Sequence, residues 1–182
     1  MKAKVLALLL TIATQCLAQA QGTPVRLIDE RPLDERKSQF LLESYRTQVS
    51  LADDSMEPSP VRIFEQALQA TMDSPHEPMV LKSLGLRISI PPAATSAEVY
   101  RAMNVPDGPP NASNLVQAIS SSLPLHPGTS ALVVCEAEVV VGGNEYRALV
   151  RESYERGLTR EALVAQLKQA ATELLADAKA AK

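Results

Sequence analysis

The second half of the chain carries an alternation of apolar and polar residues that predicts a β-hairpin. Thr129 to Val141 is apolar and rich in β-branched residues, Gly142-Gly143 follows, and Glu145 to Tyr154 runs back. Two adjacent glycines suit the tight turn that joins two antiparallel strands. The pairs expected on one face are Val139 with Tyr146, Ala137 with Ala148 and Cys135 with Val150, and on the other face Glu138 with Arg147. Pattern, turn and charge therefore agree on one structure.

Three further elements follow from periodicity and end signals. Met79 to Ile90 alternates as a strand does, with Leu84, Leu86, Ile88 and Ile90 on one face. Ser59-Pro60 is typical of a helix start, and the core-facing stripe expected after it is Val61, Phe64, Leu68 and Met72. Thr159 is expected to cap a long amphipathic helix whose apolar side is Leu163, Leu167, Ala170, Leu174 and Ala178.

The remaining segments are less regular. Val25 to Ile28 is expected to form a short strand, and Gln39 to Leu51 fits either a helix or a second strand, because its periodicity does not separate the two. Pro91 to Ser113 is rich in proline and is expected to be a surface excursion within one domain. Ser113 to Leu123 is a candidate short helix.

These elements together predict an α+β fold. We expect residues 21–182 to form a single domain with a mixed or antiparallel sheet of about four or five strands and with helices packed on one face. A chain of that length is sufficient for one aliphatic core.

Residues 1–20 have the pattern of a cleavable secretory signal peptide. Lys2 and Lys4 form a positive start, Val5 to Ala18 is mainly apolar, and small residues precede the expected cleavage after Ala20. The stretch is too short for a membrane-spanning helix. The sequence therefore predicts a periplasmic or secreted protein with no membrane span.

Cys16 leaves a second interpretation of this leader open. A lipoprotein signal needs a small residue directly before its acylated cysteine, and Gln15 occupies that position here. We therefore favour cleavage after Ala20 over a lipid anchor at Cys16. The difference would decide whether the protein is retained at a membrane or released.

Composition narrows the classes of partner. The 18 basic residues include Lys2 and Lys4, so 16 remain in the predicted mature chain against 21 acidic residues. An acidic balance with no basic cluster argues against a nucleic-acid partner. Only 3% of residues are aromatic and tryptophan is absent, so sites that stack sugars or bases on aromatic rings are disfavoured.

Charged residues near the first strand and on the hairpin are the candidate contact points for a partner. Asp29, Arg31 and Arg36 belong to a run of carboxylates and guanidiniums, for which the alternative is an internally salt-bridged segment. Glu138 and Arg147 lie on the expected outer face of the hairpin. The hypothesis is that these five residues contact another envelope component.

No recognisable catalytic, metal or cofactor signature accompanies them. His76 and His126 each stand alone beside prolines, whereas a zinc site needs three or four ligands. Asp53-Asp54 with Glu57 lacks the glycine and the spacing of a calcium loop. Cys135, in the middle of an apolar strand, is expected to be a buried core residue rather than a nucleophile.

The last third of the chain resembles the YajG-type envelope lipoproteins of bacteria. The residues that carry this resemblance are ALVVCEAEVVVGGNEYRA at 131–148, Tyr154-Glu-Arg-Gly, and the helix from Thr159. The resemblance implies a compact sheet with helices on one face and a location at the cell envelope, with no catalytic residues to transfer. The chain departs from that family at the cysteine of the leader, as described above.

The expected function is therefore that of a non-catalytic exported protein that binds another component of the cell envelope. Two alternatives stay open. One is a small secreted hydrolase or thiol enzyme whose site is assembled from distant residues, for example Cys135 with a histidine. The other is a secreted effector or inhibitor.

Overall fold

Six strands and two α-helices follow one another in the described part of the chain. The computed structural model describes residues 26–43, 46–72, 78–90, 116, 130–155 and 157–180. The strands are β1 (Leu27–Asp29), β2 (Gln39–Glu43), β3 (Arg46–Leu51), β4 (Met79–Ile90), β5 (Ala131–Val141) and β6 (Asn144–Tyr154). The helices are α1 (Pro60–Thr71) and α2 (Arg160–Ala180), and a 3₁₀ turn spans Asp34–Arg36.

The strands form one mixed sheet. Five of them lie in the order β2-β3-β4-β5-β6, and each neighbouring pair is antiparallel. The short β1 pairs in parallel with the first residues of β4, whereas β3 pairs with the last residues of β4. The segment Gln39 to Leu51, which the sequence left open between helix and strand, thus forms two strands. The α+β prediction is confirmed. The short strand predicted over 25–28 is observed as β1 (Leu27–Asp29), which pairs with β4 outside the five-stranded path.

The hairpin has the predicted register. Val139 lies opposite Tyr146, Ala137 opposite Ala148, Cys135 opposite Val150 and Glu138 opposite Arg147. Gly142 and Gly143 have φ angles of 58° and 84°, which is the backbone of a two-residue turn with both central residues in the left-handed region. Side chains other than hydrogen rarely adopt that region, and for this reason two glycines stand here.

One face of the sheet carries the core. The buried residues of β4 are Met79, Leu81, Leu84, Leu86, Ile88 and Ile90, and those of β5 are Ala131, Val133, Cys135, Ala137 and Val139. The register of β4 against β5 shifts between Leu81 and Ser83, where Lys82 is the extra residue. This bulge keeps both halves of β4 on the core face although the spacing of apolar residues changes from two to three.

Both helices pack on that face. α2 lies against β5 and β6, and α1 packs on α2. The apolar side predicted for α2 is buried. The backbone N–H of Ala162 donates to Thr159 Oγ1 at 3.2 Å, so Thr159 caps α2 as predicted. Ser59 stands at the N-cap of α1 but its side chain makes no capping hydrogen bond. The buried side of α1 is Ile63, Phe64, Ala67 and Leu68, whereas Val61 and Met72 of the predicted stripe are partly buried.

Several predicted features lie outside the described residues. They are the leader at 1–20 with Cys16, the Pro-rich stretch 91–113, and both histidines. Of the candidate helix at 113–123, only Val116 is described, and it is helical and buried. None of the helices among the described residues is both long and apolar enough to cross a membrane.

Candidate partner-binding surface

The charged segment after β1 folds around a buried guanidinium. Arg31 Nε donates to Asp29 Oδ1 and Arg31 Nη2 donates to Asp29 Oδ2, both at 2.9 Å, and Nη2 also donates to Asp53 Oδ2 at 2.7 Å. The Arg31 side chain is 1% exposed, whereas both carboxylates are 27% exposed. A charge at that depth is tolerated only when it is paired, and here two carboxylates pair with it.

The pKa values in this cluster move in the direction that the pairing demands. Burial alone would raise the pKa of Asp29, but the hydrogen bonds and the positive charge of Arg31 outweigh burial and lower it below its usual value. Burial alone would lower the pKa of Arg31, and the two carboxylates raise it instead. Both members of the Asp29–Arg31 pair are therefore held in their charged forms.

Arg36 lies on the solvent side of this segment and binds its backbone. Its Nη2 donates to the carbonyl oxygens of Arg31 at 3.0 Å and Asp29 at 3.1 Å. Arg36 thus supports the backbone around the buried pair, and about a third of its side chain stays exposed. The structure places Arg31 below the surface and Asp29 and Arg36 at it, which is the internally salt-bridged arrangement that the sequence left as the alternative.

The outer face of the hairpin is lined by exposed ion pairs. Arg147 Nε lies 3.1 Å from Glu138 Oε2, and Arg147 Nη2 lies 2.7 Å from Glu145 Oε1. One strand further in, Arg87 Nη2 donates to Glu136 Oε2 at 2.5 Å. Exposed pairs of this kind contribute about 0–1 kcal/mol each, so a partner can exchange them for its own contacts at little cost.

A shallow depression lies on the face of the sheet opposite the two helices, which we call the open face. Its two adjoining parts, of about 190 Å³ and about 350 Å³, share Ser83 and Glu136. The first reaches the segment after the 3₁₀ turn at Lys37, and the second reaches Leu149 on β6. Leu149, at 47% exposed, is one of two large apolar side chains that stand out from the described surface.

The sheet connects the two predicted contact regions. Asp29 lies beside Leu81 in the β1–β4 ladder, and Ser83 lies opposite Glu138 in the β4–β5 ladder. Glu30 Oε2 also accepts a hydrogen bond from Lys82 Nζ at 2.5 Å. The charged segment and the hairpin therefore border the same part of the sheet, although about a hundred residues separate them in the sequence.

Gly85 lies in this depression, and sequence reasoning did not single it out. A Cβ built on Gly85 would meet no atom within 4 Å, and its φ is not in the left-handed region. Neither packing nor backbone geometry among the described residues therefore requires glycine at this position. A glycine in the interior of a strand was the available signal, because such a residue often marks a bulge or the close approach of another group, and the bulge of β4 lies at Lys82 and not at Gly85.

The residue considered as a nucleophile, Cys135, lies in the core of the protein. Cys135 is fully buried, and burial with the nearby charges of Glu136 and Glu173 raises the pKa of its thiol to about 12. A thiol with that pKa is protonated at neutral pH and is not nucleophilic. The described residues include no group of three or more metal-ligating side chains.

A second polar cluster joins the end of β6 to α2. Gln166, which is buried, donates from Nε2 to Glu152 Oε2 at 2.6 Å and to the Tyr154 hydroxyl at 3.2 Å. The Tyr154 hydroxyl donates to the same carboxylate oxygen at 2.7 Å, and burial together with this carboxylate raises the pKa of Tyr154 to about 12. Nothing in the sequence indicated that this glutamine would meet those two residues.

Comparisons of this chain with protein-family models, with curated proteins and with solved structures give no match. The resemblance to YajG-type envelope lipoproteins therefore stays a prediction from the sequence, and the surface described above is the basis on which function is argued.

Proposed function

We propose that this chain is a non-catalytic exported protein that binds another component of the cell envelope through the open face of its sheet. The observation that carries the proposal is that Gly85 lines the depression and has open space beside it. Glycine in a strand interior costs about 0.5–1 kcal/mol relative to alanine. Because the described structure gives no steric reason for that cost, access of a partner to the strand is the reason we infer.

The walls of the depression favour a polypeptide partner. They combine ion-paired side chains, Arg87 with Glu136 and Arg147 with Glu138, with the hydroxyl of Ser83 and the apolar Leu149. Alternating charges of both signs beside apolar side chains suit a protein segment of the same mixed character. Aromatic rings that would stack a sugar or a base do not line either part.

Site-specific crosslinking in cells tests this surface. A photoreactive amino acid at Ser83 is expected to give a discrete crosslinked species, and the same amino acid at the exposed Lys168 on α2 is expected to give none. Gly85→Val in the Ser83 background should weaken the species strongly, because the added side chain projects into the first part of the depression. Equal crosslinking at both sites, or an unchanged species in the Gly85→Val background, would overturn the proposal.

Export is tested separately by mass. The product of the full-length chain, recovered from the cell envelope, should have the intact mass of a protein that begins at Gln21. A mass that begins at Cys16 with attached acyl groups would instead establish a lipid anchor. The uncleaved chain in the cytosol would contradict export altogether.

A further inference from the structure

β6 is a long, regular strand at one edge of the sheet. It pairs with β5 over all eleven of its residues without a register shift. On its other side, no strand among the described residues pairs with it. Natural proteins blunt edges of this kind with prolines, bulges, short strands or charged side chains. β6 has no proline and no bulge and is eleven residues long, but it carries the charged residues Glu145, Arg147 and Arg151.

The hairpin turn determines which backbone groups of β6 point outward. Val141 and Asn144 close the two-residue turn and form a hydrogen-bonded pair, as such turns require. Hydrogen-bonded and non-hydrogen-bonded pairs then alternate along the hairpin. The residues whose N–H and C=O groups point away from β5 are therefore Glu145, Arg147, Leu149, Arg151 and Ser153. Their side chains project from the open face.

Charge is unevenly distributed along this outward set. At the turn end, Arg147 is shared between Glu138 and Glu145, which leaves one negative charge in excess. At the other end, Arg151 is exposed and has no ion pair or hydrogen bond within the described part of the chain. An edge with a negative end and a positive end is complementary to a copy of itself that runs in the opposite direction.

We infer that two copies of this chain pair through their β6 edges, antiparallel, about a two-fold axis at Ala148. Such an axis, perpendicular to the sheet, joins the two sheets into one and leaves both depressions on the same face. The pairing is made by the backbone edge of β6 and does not depend on the function proposed above, although Arg147, Ala148 and Leu149 also line the second part of the depression.

The register follows from the charges. Five registers oppose at least three of the five outward-facing residues with one another, and they have the axis at Arg147, Ala148, Leu149, Val150 or Arg151. An axis at Arg147 or Arg151 sets that arginine against its own copy, and an axis at Leu149 sets Arg147 against Arg151. An axis at Val150 sets Arg151 against Leu149 and Arg147 against Ser153, so neither arginine faces a carboxylate. With the axis at Ala148, Glu145 meets Arg151 twice and each Arg147 stem covers the partner's Leu149 side chain.

Charge reversal tests this pairing. The product of the full-length chain is examined by sedimentation across a concentration series. The wild type is expected to dimerise, and Glu145→Arg or Arg151→Glu alone should raise the dimer Kd by about tenfold or more, because like charges then face each other twice. The double variant carrying both substitutions should restore the wild-type Kd. A monomeric wild type at 100 μM, or singles that dimerise as the wild type does, would overturn the inference.

A cysteine pair tests the register independently. Residues at the axis form a non-hydrogen-bonded pair with Cα atoms about 4.5 Å apart, so Ala148→Cys should form a disulfide between copies under mild oxidation. Leu149→Cys is the matched control, since its copies would be about 8–9 Å apart, too far for a disulfide. Crosslinking of Leu149→Cys but not Ala148→Cys, or of neither, would overturn the axis at Ala148. Monomers in every variant would likewise overturn the pairing.

Discussion

Replacing Arg31 by methionine is the sharpest test of how the charged segment is built. Methionine retains an apolar stem of similar length but removes the guanidinium that links Asp29 to Asp53. The Arg31 side chain is almost fully buried, and its Nη2 alone donates to both carboxylates. Without it, two carboxylates would face each other in a half-buried site. Asp53 Oδ1 is already buried without a hydrogen-bond partner, and the substitution would supply no donor for it.

The expected loss is large for a single side chain. Breaking a buried ion pair by removing one partner costs about 3–5 kcal/mol, since the remaining charge is left uncompensated. Water reaches part of Asp29 and Asp53, so we expect the low end, about 3 kcal/mol. In a domain of this size that corresponds to a fall in melting temperature of roughly 6–12 °C.

The loss should depend on pH in a defined direction. The pKa of Asp29 is lower in the folded protein than in the unfolded chain. Asp29 therefore contributes stability above its unfolded pKa of about 3.9, and that contribution disappears as the pH falls through the lower folded value. Arg31→Met removes the cause of this shift. The difference in unfolding free energy between wild type and variant should be greatest near neutral pH and should shrink below about pH 4.

Urea unfolding followed by circular dichroism at pH 7 and at pH 3 measures both effects. Arg62→Met is the matched control, because Arg62 forms an exposed pair with Glu65 at 2.8 Å on the surface of α1. That change should cost no more than about 0.5 kcal/mol. A loss below about 1 kcal/mol for Arg31→Met at pH 7, or one equal to the control, would refute the reasoning from burial.

Three further predictions concern single sites. Gly85→Val should leave the free energy of unfolding unchanged or raise it by about 0.5–1 kcal/mol, measured by urea unfolding, because a Cβ has open space there; a clear loss would mean that another group occupies it. Cys135 should resist a thiol reagent at pH 7 in the folded protein and react fully in urea, read as labelled mass, since it is buried with a pKa near 12. Gly143→Val should cost about 1–2 kcal/mol in thermal unfolding because φ is 84°, whereas Gly142→Asn should cost much less.

Much of the fold could be predicted from local sequence patterns. The hairpin register was predictable because a two-residue turn leaves a single way to pair the strands beside it, and the structure has that register. β4 and α2 were equally clear, because each buries a continuous stripe on one side. Gln39 to Leu51 was not predictable, since its apolar spacing fits both periods. Its two strands exist because β3 pairs with the distant β4.

The candidate site was predictable only in part. Pairing of Glu138 with Arg147 followed directly from the hairpin. The burial of Arg31 could not be predicted in this way, because Asp53, which pairs with its charge, lies 22 residues away in a loop. The depression and the open space beside Gly85 were also not predictable from the sequence. They exist only where β4 lies between β3 and β5 and no side chain fills the space.

Sequence alone determined the elements whose interactions are local. Turn glycines, a helix cap and alternating apolar residues act over a few positions, so the hairpin, the central strand and the C-terminal helix can be deduced without coordinates. Tertiary structure decided which side chains from distant segments meet. Burial of Arg31, the contact of Gln166 with Tyr154 and the outward edge of β6 depend on strand order and on the face that the helices cover. Those properties arise from non-local pairing, whose energy no short stretch of residues contains.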